Sequence, residues 1–161
     1  MYDCSAKIPM IIKPPNFPAA AAKTADHLVS SIDLYGTLLD YAGDANWKEL
    51  NLDGQSLLPL LHQDESQSDV RDQVFSIIGE NPDNNLCMIR KGSFKLIRLA
   101  RGSSEPLYEL YDLSENDYET HNLYTLDKYK TVKDELKNIL DHWWQEQKEK
   151  YPKETINFWK S

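Results

Sequence analysis

The sequence lacks several features that would mark whole classes of protein. No apolar run among its 161 residues approaches the ~20 residues that a membrane-spanning helix needs, so no membrane partner is predicted. It has no basic cluster and a net charge of −8, which argues against nucleic acid as a partner. The first residues lack the charged region and apolar region of a signal peptide. The sequence itself therefore assigns no compartment.

Residues for metal binding or catalysis are also sparse. Cys4 and Cys87 have neither metal-ligand spacing nor a neighbouring histidine, and both buried thiols and a single disulfide stay open for them. The histidines are scattered, and none has a second histidine two or four residues away. The acidic residues at 112–119 lack the Asp-x-Asp-x-Asp-Gly spacing of a calcium loop. The residues alone predict no metal site and no catalytic residue.

The second half of the chain carries the clearest pattern of secondary structure. Apolar runs at 86–90 and 94–98 flank Lys91-Gly92, and glycine accepts the positive φ of a tight turn, so these runs predict a hairpin. A turn at 101–104 and a run at 107–113 predict a third strand, and 74–78 predicts a fourth. The sequence therefore predicts a four-stranded antiparallel sheet.

A helix is predicted from about residue 126 to residue 147, with Asp127 or Thr125 as its N-terminal cap. Large apolar side chains at helical spacing predict the buried stripe, namely Tyr129, Val132, Leu136, Ile139, Leu140 and Trp143. A helix that covers one face of an antiparallel sheet is a common α+β arrangement.

The first half predicts different elements. The apolar run Ile8–Lys13 is typical of a strand buried on both faces, which usually belongs to a larger sheet. Residues 27–42 have helical spacing and end at Gly43, with Asp33 and Asp40 interpreted as a polar edge. The polar run 63–72 predicts an exposed linker. The domain prediction is accordingly 1–62 and 63–161.

Several short motifs occur in order along the chain. They read Met-Tyr-Asp-x-Ser-Ala-Lys-Ile-Pro-Met-Ile-Ile (1–12), Leu-Val-Ser-x-Ile-Asp-Leu-Tyr-x-Thr-Leu-Leu-Asp-x-Ala-Gly (28–43), Asp-Gly-Gln-Ser-Leu-Leu-Pro-Leu-Leu (53–61), Met-Ile-Arg-x-Gly-x-Phe-Lys-Leu-Ile-Arg (88–98), Glu-Leu-Tyr-Asp-Leu-x-x-Asn-Asp-x-x-Glu (109–119) and Asn-Leu (122–123). Together they resemble the C-terminal part of the sulfatase family, within the alkaline-phosphatase-like superfamily. Gly36 stands where the family commonly has proline.

The resemblance implies a fold between α/β and α+β. Residues 8–12 would be a strand of the family's large sheet, and 28–43 a helix on that sheet. These belong to 1–62 of the chain. The remainder, 63–161, would form the C-terminal subdomain, in which a four-stranded antiparallel sheet is covered by a C-terminal helix.

The resemblance also implies where the chemistry lies. Sulfatases use a formylglycine, made from Cys or Ser in a Cys-x-Pro-x-Arg-type motif, and a calcium ion that neutralises the sulfate oxygens. Those residues, and a sulfate-binding lysine just before the Met-Tyr-Asp segment, would lie upstream of Met1. Cys4 begins a similar run, but Ile8 stands where the motif requires arginine, so Cys4 is interpreted as structural.

The predicted function is therefore the C-terminal part of a sulfuric ester hydrolase, inactive alone. It would contribute structure and part of the cleft for a sulfated small molecule or glycan. The loop 80–85 is the predicted cleft element, with Glu80, Asn81 and Asn84 as substrate-binding residues.

Two other functions stay open from the sequence. One is a stand-alone binding or oligomerisation module that kept the fold without the catalysis. The other is a phosphoesterase relative in the same superfamily, because the upstream part decides the ester. If the chain is a part of a large sheet, it is expected to self-associate through the exposed edge near Ile8–Ile12. The resemblance implies export, since family members are often periplasmic, extracellular or lysosomal.

Overall fold

A four-stranded sheet is the centre of the second half of the chain. The computed structural model describes residues 1–15, 24–62, 71–81, 83–114 and 118–150, with the backbone alone at 80 and 81. The strands are β1 (Gln73–Asn81), β2 (Asn84–Lys91), β3 (Phe94–Arg101) and β4 (Leu107–Asp112), in the order β1-β2-β3-β4. This confirms the predicted four-stranded antiparallel sheet and its turn at Lys91-Gly92.

One face of the sheet packs against a long helix. The cross-strand row Ile89, Leu96 and Leu110 lies in a buried cluster with residues of the helix α4 (Lys130–Lys150). The helix buries Leu136, Leu140 and Trp144. Burying large apolar side chains stabilises the fold by about 1.5–3 kcal/mol each, so this cluster is the main stabilising feature of the subdomain. The predicted covering helix is confirmed.

The end of the buried stripe differs from the prediction by one residue. Trp144 is the buried tryptophan, whereas Trp143 is partly buried and stacks on Phe75 of β1, with ring centroids 4.7 Å apart. Adjacent helical positions point about 100° apart. A broad sheet face can therefore be contacted by both rings.

The predicted cap of the last helix is wrong. A 3₁₀ turn, Asp127–Tyr129, precedes α4, and Leu126 is the N-terminal capping residue without any side-chain hydrogen bond. The Leu126 amide donates to the Leu123 carbonyl at 3.0 Å, and the Tyr129 amide donates to the Leu126 carbonyl at 3.1 Å. Backbone turns thus form the helix entry, which leaves Thr125 and Asp127 without a capping role.

The opposite face of the sheet is covered by the start of the chain. A short helix, α1 (Asp3–Ala6), follows Met1, whose side chain is buried among Met88, Ile97 and Tyr111. Residues Met1–Met10 consequently group with Phe75–Ser161 as one compact unit, and Ile11–Val74 form another. The predicted boundary within 63–72 stays a prediction, since 63–70 lie outside the described residues.

The predicted strand Ile8–Lys13 is wrong. These residues have no strand structure, and the side chains of Ile8 and Ile11 are 63% and 93% exposed. A strand exists only if a neighbour accepts and donates its backbone hydrogen bonds. The described part of this chain supplies no such neighbour for 8–13, so the apolar run forms no strand.

The Ile11–Val74 unit is built around a helix that is shorter than predicted. This helix is α2 (Asp33–Tyr41), followed by a 3₁₀ turn (Trp47–Leu50) and the short helix α3 (Leu58–His62). The start is delayed because the Asp33 carboxylate accepts the Ser30 amide at 2.7 Å, which closes a turn before the helix. Among the described residues no helix is long and apolar enough to cross a membrane.

Candidate functional site: a buried ion cluster that joins three motifs

Lys95 is the most unusual residue of the described structure. It lies in β3 with only 1% of its surface exposed, and its ammonium group pairs with the Asp3 carboxylate and, at 2.8 Å, with the Glu119 carboxylate. A buried lysine is unfavourable unless opposite charges and hydrogen bonds compensate its lost hydration. Here two carboxylates from distant parts of the chain supply that compensation.

Glu119 is held in a rare backbone conformation. Its φ is 51°, a left-handed value that costs a non-glycine residue roughly 1–2 kcal/mol. In this conformation one carboxylate oxygen accepts from Lys95, and the other accepts the Asp3 amide at 2.5 Å. The cluster therefore uses both oxygens of Glu119, and these two bonds offset the strain.

A carboxylate beside this cluster binds two tyrosines. Glu109 accepts from the Tyr2 hydroxyl at 3.0 Å and from the Tyr111 hydroxyl at 3.1 Å, and the two rings meet edge to face. Burial raises the pKa of Tyr111, and the hydrogen bond to Glu109 raises the pKa of Tyr2. Both hydroxyls are thus held in their neutral, donating form.

The ion cluster explains three of the sequence motifs. Asp3 comes from the 1–12 motif, Lys95 from the 88–98 motif, and Glu119 ends the 109–119 motif. None of the three was predicted as a site residue. A signal was available, because Lys95 alternates with Ile97 on a face of the sheet that packs Met88 and Tyr111 into a buried cluster.

The Asn-Leu motif protects the outer edge of β4. The Asn122 side-chain oxygen accepts the Leu110 amide at 3.0 Å, and its nitrogen donates to the Tyr108 carbonyl at 3.3 Å. The Leu123 amide then donates to the Leu110 carbonyl at 2.8 Å. An asparagine side chain thus mimics a neighbouring strand at this edge.

The remaining motifs meet inside the Ile11–Val74 unit. Asp33, which is buried, pairs with Arg71 and accepts the Gln55 amide at 2.9 Å. One turn along α2, the Thr37 hydroxyl accepts the Leu57 amide at 2.9 Å. At Asp33 the predicted polar edge is therefore part of a buried network of hydrogen bonds.

Asp40 and Gly54 lie in the same two segments as this network. The Ser56 hydroxyl donates to the Asp40 carboxylate at 2.5 Å. A methyl group on Gly54 would lie 2.1 Å from the Ile32 carbonyl oxygen, so only glycine fits this close approach of two backbone segments. The Asp-Gly-Gln-Ser run is thus explained by packing.

The predicted cleft residues lie at one end of the sheet. Glu80 and Asn81 end β1 and Asn84 begins β2, so the turn between the two strands is shorter than the predicted loop 80–85. The Asn84 side-chain oxygen accepts the Gly102 amide at 3.1 Å, and the Asp83 carbonyl accepts the same amide at 2.8 Å. These bonds join the β1–β2 turn to the β3–β4 turn.

The two cysteines are free and lie in different environments. Cys4 is exposed on α1, whereas Cys87 is fully buried in the helix-side core. Burial raises the pKa of the Cys87 thiol to about 11, so it stays neutral near pH 8. Cys4 is therefore the thiol that can react in the folded protein.

The described residues do not fit a calcium ion. They contain no group of three or more His, Cys, Asp or Glu side chains that could hold a metal. Asp3 and Glu119 do converge, but the Lys95 ammonium already occupies the position between them. No step that depends on calcium is therefore assigned to these residues.

Sequence comparison places the chain among proteins of one kind. A family profile described as N-sulphoglucosamine sulphohydrolase, C-terminal, matches residues 1–147. Arylsulfatase K of Rattus norvegicus is 34% identical over 136 residues, which cover 78% of this chain and 22% of that protein. N-acetylglucosamine-6-O-sulfatase of Bacteroides thetaiotaomicron is 27% identical over 165 residues, which cover 98% and 29%. The chain thus spans about a quarter of the length of these relatives.

Solved structures agree with this result. A structure determined in complex with its substrate, D-glucosamine-2-N,6-O-disulfate, matches with a TM-score of 0.58 and 25% identity, covering 74% of this chain and 24% of that one. A phosphonate monoester hydrolase of Agrobacterium radiobacter matches with a TM-score of 0.60 and 24% identity, covering 76% and 26%. The second likeness shows the shared fold alone.

Proposed function

Because this chain belongs to the sulfatase family and forms its C-terminal domain, we propose that it supports a sulfuric ester hydrolase whose reaction is carried out by residues outside this chain. The observation that carries this proposal is that the Lys95 ammonium group is already fully paired. Its ammonium group is buried and bound by two carboxylates, so it cannot at the same time neutralise a sulfate ester. The same carboxylates are occupied by Lys95. The charged groups of this site are thus used for structure.

The complete enzyme would draw its reactive groups from the upstream part. Formylglycine and calcium are general to the family, and we propose that the complete enzyme uses both. Calcium would neutralise the sulfate oxygens, and the formylglycine would supply the nucleophile. The role of the present residues is to hold the C-terminal domain in its folded form.

A sulfated sugar is the substrate class that we propose for the complete enzyme. The support comes from relatives, one named an N-acetylglucosamine-6-O-sulfatase and one an ulvan-active sulfatase. A structural neighbour was solved with a disulfated glucosamine. The phosphoesterase alternative rests only on a likeness of fold, since the phosphonate monoester hydrolase is 24% identical.

We further propose that the turn between β1 and β2 forms part of the substrate cleft, with Glu80, Asn81 and Asn84 as the contacting residues. What supports this is the polar character of that end of the sheet. Asn84 is exposed, and its side-chain oxygen already accepts the Gly102 amide of the neighbouring turn. Amide and carboxylate side chains are suited to hydrogen bonds with sugar hydroxyl groups.

The isolated chain is expected to show no turnover of p-nitrophenyl sulfate, with or without added calcium. The physical reason is that its charged cluster is neutralised internally and provides no activated nucleophile. The measurement is nitrophenol release, with a complete sulfatase as the positive control in the same assay. Calcium-dependent release above the blank would contradict the proposal.

The genomic reading frame before the Met1 codon provides a second test, and it should encode a Cys-x-Pro-x-Arg motif.

The isolated chain is also expected to self-associate through the segment near Ile8–Ile12. Ile8 and Ile11 are exposed, and exposed apolar side chains in one segment favour association. In sedimentation velocity, Ile11→Ser should shift the chain towards the monomer. Ile78→Ser is the matched control, because Ile78 is 61% exposed on β1 and lies away from the segment in sequence. A stand-alone module would instead sediment as one defined species that Ile11→Ser leaves unchanged.

A further inference from the structure

The first residues of the chain are attached to the sheet by contacts that span long sequence distances. We call Met1–Ala6 the N-terminal segment. The Met1 side chain is buried beside Met88 and Ile97, and the Tyr2 hydroxyl donates to Glu109. Asp3 binds the ion cluster twice, through its carboxylate to Lys95 and through its amide to Glu119.

These attachments differ in strength. The Tyr2–Glu109 hydrogen bond is exposed, so water can replace either partner and its net contribution is small. Burial of the Met1 side chain contributes more, because it removes apolar surface from water. Loss of one partner from the buried ion cluster is the most unfavourable change, because the other charge stays buried without compensation. The ion cluster therefore decides whether the segment stays in place.

We propose that Lys95 is a positioning residue that fixes the N-terminal segment on the sheet. The inference rests on the proposed function in one respect. The family match is to the C-terminal part of the enzyme, so the rest of a sulfatase chain reaches this domain through the N-terminal segment. A fixed segment gives the upstream polypeptide a defined point of entry relative to the sheet.

Removal of the Lys95 charge should release this segment and leave the sheet folded. In Lys95→Met, the Asp3 and Glu119 carboxylates would face each other without a cation. They can regain hydration only if the N-terminal segment moves away from the sheet. The helix-side core, with Leu96 and Leu140, contains none of these groups and should persist.

Cys4 provides a native reporter of this movement. It lies exposed in the segment, and the neutral Cys87 thiol does not compete for a thiol-specific nitroxide label. In electron paramagnetic resonance of the full chain, Lys95→Met is expected to shorten the rotational correlation time of the label several-fold. Amide hydrogen exchange at Ala6 and Lys7, which donate to the Tyr2 and Asp3 carbonyls of the segment, should rise about tenfold or more.

Lys91→Met is the matched control. Lys91 lies on the same sheet and pairs with Glu135 at 3.0 Å, but that pair is exposed, so water replaces the lost interaction at little cost. Its spectrum should match the wild type. The double variant Lys95→Met/Glu119→Gln removes one of the two facing carboxylates, and the new amide group can donate to the Asp3 carboxylate. The label should therefore slow again, which a nonspecific loss of packing would not do.

Three results would overturn the proposal. The first is an unchanged label spectrum in Lys95→Met. The second is loss of the far-ultraviolet circular dichroism signal of the sheet in that variant, because the proposal has Lys95 hold the N-terminal segment in place and leaves the sheet folded without it. The third is a double variant as mobile as the single variant. Turnover of p-nitrophenyl sulfate by the isolated chain would contradict the proposed function and leave these spectra unaffected, so the two failures are distinguishable.

Discussion

Replacement of Leu140 by alanine is expected to lower the free energy of unfolding by about 2–5 kcal/mol. Leu140 is fully buried in α4, in one cluster with Ile89, Leu96 and Leu110 of the sheet. Truncation removes apolar contact and leaves a cavity between helix and sheet, which the strands cannot close without breaking their ladders. Urea unfolding followed by far-ultraviolet circular dichroism measures the change.

Leu126→Ala is the matched control for this prediction. Leu126 precedes the same helix but is 43% exposed, and its hydrogen bonds involve only the backbone. Its replacement should cost less than about 1 kcal/mol. Equal losses in the two variants would show that the helix does not owe its position to the buried cluster.

Gly54→Ala is expected to destabilise the Ile11–Val74 unit by about 3 kcal/mol. The added methyl group would lie 2.1 Å from the Ile32 carbonyl oxygen, so one backbone segment must move. That movement pulls the Gln55 amide from Asp33 and the Leu57 amide from Thr37. Hydrogen exchange at the Leu57 amide reports the loss directly.

Gly36→Ala tests the same substitution in the same unit with the opposite expectation. Its methyl group would meet the Trp47 ring at 3.4 Å, which is an ordinary contact. Alanine is favoured over glycine within a helix by up to about 1 kcal/mol, so this variant should be neutral or more stable. If Gly54→Ala were equally harmless, the close approach at Gly54 would not be the reason for the glycine.

The elements that the sequence predicted well depend on local patterns. The β2–β3 hairpin follows from alternating apolar runs around Lys91-Gly92, and α4 follows from an apolar stripe with helical spacing. Their partners are neighbours in sequence or repeat along one helix face. For such elements the residue pattern carries most of the information that the fold uses.

The errors in the sequence-based prediction occurred where a distant or missing partner decides the local structure. Ile8–Lys13 has the composition of a buried strand, but the described residues offer no neighbouring strand for it. The start of α2 shifted to Asp33 because a carboxylate satisfied the backbone before the helix. Neither outcome is visible in local periodicity.

The sequence by itself determined the hairpin, the covering helix and, through its ordered motifs, the sulfatase resemblance that the comparisons confirmed. Only the tertiary structure decided what the motif residues do. Asp3 and Lys95 are 92 residues apart and Glu119 lies 24 residues beyond Lys95, yet all three meet in one buried cluster. In the sequence, charged residues at such separations look like ordinary surface residues. Their burial and pairing arise only when the folded sheet brings them together and excludes water.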